Sequence, residues 1–355
     1  MPKSGNFTRR IVLAALAATL AVIAVVAAGT AGAASSKRSA TTLSGAGSTF
    51  VQPLVSQWIS PLASAYGYEL QYSGIGSGGG IAAVTARTVD FGASDAPLTP
   101  DQFTACKGCV QIPWALSATS VIYNLDGAKN LLHMNGATLS KIFAGQITQW
   151  DDPAIKALNK GVNLPSTKIA TVHRSDNSGT TYNFTEYLSS VSGSWKSQYG
   201  KGVAVNWPNG TGSRGSAGVA ATVSQTPGGI GYVDVAYALK NHLKFFSMQN
   251  SSGKFATPGL KGILAAASSD QKPEATTNEL SIVNPPKKFP LAYPIATYTY
   301  VIVPTSSPKA AELRKFLFWA VTKGQSYGPK LLFQPIPKSV LVVAEKTIAK
   351  VKPAG

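Results

Sequence analysis

The run His173-Arg174-Ser175-Asp176-Asn177-Ser178-Gly179-Thr180-Thr181 sets one arginine among hydroxyls and small residues, the chemistry of an oxyanion site. Arginine presents a planar fork of donors that fits a tetrahedral oxyanion. The run follows the apolar stretch Ile169-Ala170-Thr171-Val172 and leads into a helical pattern that begins near Tyr182. It therefore lies where a strand ends and a helix opens, and there unpaired backbone N–H groups and the helix dipole favour an anion. Two readings of Asp176 stand: it holds the Arg174 guanidinium, or it closes an Asx turn.

Two other loops repeat the design. Gly45-Ala46-Gly47-Ser48-Thr49-Phe50 follows the short strand Thr41-Thr42-Leu43-Ser44 and presents Ser48, Thr49 and the Phe50 N–H. Gly74-Ile75-Gly76-Ser77-Gly78-Gly79-Gly80 follows the strand Glu69-Leu70-Gln71-Tyr72 and presents Ser77 before a short helix through Ala86. Each loop alone also reads as an ordinary Gly/Ser connection. Three of them at strand C-termini, with one arginine, read as parts of one site. The second loop also matches G-x-G-x-x-G, a dinucleotide fingerprint. It is not the first strand–helix turn, however, and export disfavours a nicotinamide enzyme. No G-x-x-x-x-G-K-[ST] occurs, so a phosphate-binding loop of the usual nucleotide type is excluded.

A third strand, Val89-Asp90-Phe91-Gly92-Ala93, delivers Ser94 and Asp95. A carboxylate beside an anion site repels its ligand unless that ligand has a proton to donate. Phosphate near neutral pH keeps at least one proton and sulfate keeps none, so an Asp acceptor welcomes the first and faces the second as an unpaired negative group. The competing reading of Asp95 is a helix or turn cap before Pro97.

The positions that must hold these loops alternate strand and helix, which gives an α/β fold class. Phe50, Leu54, Trp58 and Leu62 recur four apart on one helical face, with a break expected at Pro61. Thr99-Pro100-Asp101-Gln102 is a capping box, and Asp152-Pro153 opens a helix that Asn159 and Gly161 close. Thr119 to Asn124 is a strand that starts a second domain, and Ile230 to Asp234 is another. Ala296 to Val303 alternates as a strand should, and a final amphipathic helix runs through Leu313, Phe316, Leu317 and Ala320. The Ser/Lys/Pro-rich segment from about Asn250 to Lys288 reads as a long surface excursion.

The 355 residues allow two ordinary domains, and the composition (44% hydrophobic, 13% charged, 34 Gly and 22 Pro) is that of an exported globular protein. Lys3, Arg9 and Arg10 precede an apolar run from Ile11 to Gly29, and Ala31-Gly32-Ala33 offers a small-x-small cleavage site. Residues 1–33 therefore read as a signal peptide, with an uncleaved membrane anchor as the competing reading. The pair Arg9-Arg10 also permits twin-arginine export. Removal of the segment lowers the net charge from +17 to +14. The remaining Lys and Arg are scattered without a basic helix or an RNA-binding motif, so nucleic acid is not an expected partner. Attraction to an anionic cell surface and plain solubility both account for the balance.

Cys106 and Cys109 are the only cysteines and form a candidate short-loop disulfide. A redox Cys-x-x-Cys site is the sharper alternative, but the pair lies in a Lys-Gly turn without thioredoxin-like surroundings. His133, His173 and His242 are far apart and no carboxylate cluster has ligand spacing, so no metal and no cofactor are expected.

Four ordered motifs closely resemble the phosphate-binding proteins of bacterial ABC phosphate importers. They are Leu43-Ser44-Gly45-Ala46-Gly47-Ser48-Thr49-Phe50, Tyr72-Ser73-Gly74-Ile75-Gly76-Ser77, Asp90-Phe91-Gly92-Ala93-Ser94-Asp95 and Arg174-Ser175-Asp176-Asn177-Ser178-Gly179-Thr180. Lys141-Ile142-Phe143-Ala144-Gly145, Trp150 to Ile155 and Gly228 to Val233 also fit, so the likeness spans nearly the whole chain after the signal. The resemblance implies a two-lobed, periplasmic-binding-protein-like α/β fold with a hinge and phosphate in the interlobe cleft. Lobe 1 takes residues 42–117 and 292–355, lobe 2 takes 118–291, and 34–41 is a linker. Phosphate then meets Thr49, Phe50 through its N–H, Ser77 and Asp95 from lobe 1. It meets Arg174, Ser178, Gly179 and Thr180 from lobe 2, with Ser48 and Asp176 in support. The resemblance also implies a monomer that hands phosphate to the permease and ATPase subunits of an importer. Two departures stand out: no Cys precedes Cys106 to carry a lipid, and Asn177 replaces the usual glycine.

Rival functions are an exported phosphate-ester hydrolase, prompted by His173 beside Ser175 and Asp176, and a binder of another oxyanion such as sulfate. Neighbours on one strand end rarely converge into a triad, while Asp95 argues against sulfate.

Overall fold

The computed structural model describes residues 41–128, 131–270 and 272–355. The signal peptide and most of the linker expected at the N-terminus lie outside the described residues.

A single sheet path runs through the molecule in the order Tyr68–Gly74, Thr41–Gly47, Phe91–Ser94, Ala296–Pro304, Cys109–Asn124, Gly229–Asp234, Ala170–Arg174, Thr211–Ser213. Thr41–Gly47 pairs in parallel with both of its neighbours, and Ala170–Arg174 does the same at the other end. Each parallel group puts its strand C-termini, and hence its strand–helix loops, along one edge.

Cys109–Asn124 connects the two groups. Residues 109–118 pair antiparallel with Ala296–Pro304, and Thr119 to Asn124 pair with Gly229–Asp234. The sequence reading began this strand at Thr119; the structure extends it back to Cys109. Pro113 lies within it and is tolerated because the register shifts there, between Thr299 and Tyr300 on the partner.

Helix Gln52–Tyr66 buries Leu54, Val55, Trp58 and Leu62, and Trp58 Nε1 donates to Gly324 O at 2.8 Å. Burying each such side chain contributes about 1.5–3 kcal/mol. That anchorage carries the helix straight through Pro61, correcting the expected break: only one backbone bond is lost, from a proline that is not buried. Trp58 packs edge-on against Trp114 and Trp319, and Phe91 and Phe316 complete an aromatic core beneath the first group of strands. Beneath the second group, Phe184 stacks on Tyr232 at 4.3 Å, with Phe143 and Trp207 alongside.

Thr99 and Gln102 form the expected capping box, and Asp152 caps Pro153–Leu158 through the Ala154 N–H at 2.8 Å. Two expectations are corrected. The helix Ala310–Val321 is followed by another, Lys338–Ile348, so it is not the last. The segment 250–288 is no mere excursion: helix Leu260–Ala267 buries Ile263, Ala266 and Ala267, and Leu280 and Ile282 are buried after it. Cys106 and Cys109 are joined as a disulfide, with Cα atoms 5.5 Å apart.

Candidate functional site

The three loops meet. In the first, Ser48 Oγ donates to Asp95 Oδ1 at 2.5 Å and accepts the N–H groups of Phe50 and Val51 at 3.0 and 3.3 Å. The Phe50 N–H is therefore shared with Ser48 and starts a relay that ends on the Asp95 carboxylate. Asp95 is no turn cap; its carboxylate turns to Ser48. Tyr72 fixes the loop from behind, its hydroxyl donating to Ser48 O at 2.8 Å.

Ser77 opens the helix Ser77–Thr85, and its Oγ accepts two N–H groups, from Asp95 at 3.2 Å and from Gly179 at 3.0 Å. Both lone pairs are thus used, and its hydroxyl hydrogen is left to donate. The Gly179 contact links the two groups of strands. A Cβ on Gly179 would lie 2.6 Å from Ser77 Oγ and 2.7 Å from Asp95 N, so only glycine allows this approach. Gly76, at φ +87°, has Asp176 Oδ2 2.4 Å from where its Cβ would be.

Arg174 ends the strand Ala170–Arg174 and is 4% exposed. Its Nε and Nη2 bind Asp176 Oδ1 and Oδ2 at 2.7 and 2.5 Å, while Nη1 has longer contacts of 3.5 Å with Thr180 Oγ1 and Ser216 Oγ. Asp176 thus holds the guanidinium; of its two sequence readings, the geometry realises the first. Ser178 caps the helix Gly179–Val191 through the Thr181 N–H, which sets Gly179 and Thr180 in its first turn. Ser48, Thr49, Phe50, Ser77, Asp95, Arg174, Ser178 and Thr180 are all buried.

Burial pushes the Asp95 carboxyl up to about 7, against the lowering influence of Ser48, Arg174 and Ser77. Burial acts the same way on Asp176, but the Arg174 hydrogen bonds and charge overcome it and hold that carboxyl below its usual range. Arg174 and Asp176 balance one another, so neutral N–H and O–H donors at two helix N-termini supply much of the attraction for an anion. Asp95 is placed to accept a proton.

Several contributors escaped the sequence reading. Ser216 Oγ lies 2.9 Å from Thr49 Oγ1, its N–H donates to the same oxygen at 3.2 Å, and the Gly215 N–H donates to Asp176 Oδ1 at 3.0 Å. Tyr232 OH accepts the Arg174 N–H at 3.1 Å and pairs with Thr181 Oγ1 at 2.7 Å. Gly215-Ser216 does open a helix after a strand, the same signature as the other loops. The strand Thr211–Ser213 lacks the apolar run that would have announced it.

His173 stacks on Trp207 with ring centroids 4.9 Å apart, and its Nδ1 lies 3.1 Å from Arg174 O. It is engaged with neither Ser175 nor Asp176, which leaves the hydrolase reading without its general base. Among the described residues no group of three or more His, Cys, Asp or Glu is placed to hold a metal ion.

The model of the PBP superfamily domain matches residues 32–323. The phosphate-binding protein PstS of Xylella fastidiosa (strain Temecula1) is 39% identical over 311 residues, covering 86% of this chain and 85% of that protein. The chain belongs to the PstS family of the PBP superfamily. PstS of Pasteurella multocida is 38% identical, over 85% of this chain and 88% of its own. Among solved structures, a high affinity periplasmic phosphate-binding protein (PfluDING) bound with phosphate superposes with a TM-score of 0.69 at 20% identity. It covers 86% of this chain and 93% of that one. The fold is thus the two-lobed, periplasmic-binding-protein-like α/β fold, and in this PstS-family chain the converging loops lie between its two groups of strands.

Proposed function

We propose that the chain is an exported, non-catalytic receptor that binds inorganic phosphate and delivers it to an ABC-type permease. One observation carries the reading: Thr49, Ser77 and Asp95 from one group of strands meet Arg174, Gly179 and Thr180 from the other in a buried cluster linked by the Gly179–Ser77 hydrogen bond. The cluster offers one fixed cation, hydroxyl and N–H donors, and one acid able to accept a ligand proton. A hydrogen phosphate matches that set. Sulfate would leave Asp95 facing a ligand with nothing to donate. The named PstS relatives agree with this reading.

Lobe 1 comprises residues 42–117 and 292–355, lobe 2 comprises 118–291, and the hinge lies where Cys109–Asn124 changes partner strand. The Thr119 N–H donates to Ile295 O at 2.9 Å, so both connections cross at one place. Phosphate then takes Thr49, the Phe50 N–H, Ser77 and Asp95 from lobe 1 and Arg174, Ser178, Gly179 and Thr180 from lobe 2. Ser48 and Asp176 orient them. The chain acts as a monomer with the permease and ATPase subunits as partners, after cleavage of its signal peptide near Ala33.

Titration of the purified chain with inorganic phosphate, followed by tryptophan emission, tests the reading. A saturable one-to-one change lost in Arg174→Ala is expected, together with no turnover of a chromogenic phosphate ester. Ester turnover, or no response to phosphate, would overturn it.

A further inference from the structure

Asp234 ends the strand Gly229–Asp234 and is wholly buried, yet nothing in the phosphate site described above uses it. Its Oδ1 accepts the Ala236 N–H at 2.8 Å and so caps the following helix, while its Oδ2 has no hydrogen-bond partner. Its register partner is Thr119, whose Oγ1 is also buried without a partner. Residues directly opposite in an antiparallel pair send their side chains to the same face, so the two unpartnered oxygens share one interior spot. That spot is the crossing point: Thr119 donates its N–H to Ile295 O and accepts the Tyr293 hydroxyl at 3.0 Å.

An ionised carboxylate held in the interior with one oxygen unpaired by protein donors is among the most costly groups a protein can bury. The ionisable groups around it do not relieve it. The elements packed on its strand bring Tyr123, His173 and Arg174, Tyr182, Glu186 and Tyr187, and Tyr237 and Lys240. The charge that bears on it most is Asp95, which repels. Burial is the chief cause that holds the Asp234 carboxyl well above its usual range; the Ala236 N–H opposes this, and Asp95 adds to it.

We propose that Asp234 is a carboxylic acid that keeps its proton in the closed molecule, so that closing the cleft around phosphate takes up a proton at the crossing strands. The proposal rests on the phosphate-receptor reading. An acid that holds its proton more tightly closed than open favours closure at low pH and loses that contribution as pH rises through the closed-state value. Uptake on binding is seen wherever the open form is ionised. The proton also spares phosphate a second negative neighbour and leaves Asp95 as the carboxylate acceptor.

The experiment is calorimetry of phosphate binding to the full chain near pH 7, in buffers of different ionisation enthalpy, for the wild type and Asp234→Asn. Asparagine caps a helix as well as aspartate does but cannot titrate. The wild type is expected to take up more protons per phosphate bound than the variant. Its affinity should also fall more steeply with pH, by up to about tenfold per unit for one proton. Equal proton counts would overturn the proposal and leave the receptor reading intact; no phosphate heat in the wild type would overturn both. Should Asp234→Asn fail to fold, the infrared band of a protonated carboxyl in phosphate-saturated Asp95→Asn protein decides: its presence supports the proposal and its absence overturns it.

Discussion

Asp176 grips Arg174 along one edge of the guanidinium, through Nε and Nη2 at 2.7 and 2.5 Å, and accepts the Gly215 N–H at 3.0 Å with the same oxygen that meets Nε. The side chain of Arg174 is 1% exposed and that of Asp176 14%, so the pair is shielded from solvent. Holding one edge fixes the plane of the fork and turns Nη1 toward Thr180 and Ser216. The arginine is thus held in one orientation, so that binding an oxyanion, as proposed, would cost little rotamer entropy.

Asp176→Asn is expected to lower stability by about 3 kcal/mol, the cost of leaving a buried cation unpaired. Phosphate affinity should fall by roughly 10–100-fold, since a charge-assisted orienting bond is worth about 1.5–3 kcal/mol. Denaturant unfolding and calorimetry read the two effects. Unchanged affinity would show that Arg174 needs no such holder.

Gly179→Ala puts a methyl within 2.7 Å of Asp95 N and Cβ and within 2.6 Å of Ser77 Oγ, atoms of the opposite strand group. The backbone on each side must move apart, so the variant should fold with near-normal stability when open and resist closing. Phosphate affinity is expected to drop by about 10²-fold or more, as overpacking costs of about 1–3 kcal/mol combine with the lost Ser77 bond. Small-angle scattering should show no compaction when phosphate is added. Normal compaction would contradict the closed geometry.

Asp95 gives the closed chain a pH signature. Its folded value of about 7 lies above the ordinary carboxyl value of 3.8, so between those limits the folded state binds more protons than the unfolded one. Stability from this group is therefore greatest below about 4, declines as pH rises toward 7 and is level above. Asp176 acts in the opposite sense, gaining as pH rises through the acidic range. The difference between wild type and Asp95→Asn isolates the first effect. Denaturant unfolding from pH 4 to 8 should show the wild type losing stability relative to the variant across that interval; parallel curves would contradict a buried Asp95 whose carboxyl is raised by folding.

The three loops were legible because their chemistry is local: an apolar run, then Gly, Ser, Thr or Arg at the point where a helix opens. Ser216 was not, because its strand is three residues of Thr, Gly and Ser, which look like any turn. The long crossing strand was hidden by Pro113, whose missing N–H is accommodated only by a register shift on the partner strand. The continuation of the first helix through Pro61 depends on Trp58 and Leu62 finding partners far along the chain, as Trp58 does at Gly324. Asp234 was invisible for the same reason: a strand-end aspartate reads as a cap, and its second oxygen matters only once Thr119 lies opposite.

Ser216→Ala should be mild. It removes the hydroxyl facing Thr49 across the cleft but keeps the N–H that donates to Thr49. A loss of about 1 kcal/mol, roughly fivefold in phosphate affinity, is expected from calorimetry. A loss above 10²-fold would mean that Ser216 binds the ligand directly.

The central claim is that loops from the two strand groups close on one protonated tetrahedral anion. Calorimetric titration of the purified chain with phosphate and, separately, with sulfate at neutral pH tests it most directly. The account predicts one phosphate per chain and sulfate weaker by about 10⁴-fold, the scale on which a site rejects a ligand that leaves its buried polar group unpaired. Equal affinity for the two anions, or no heat with phosphate, would contradict it.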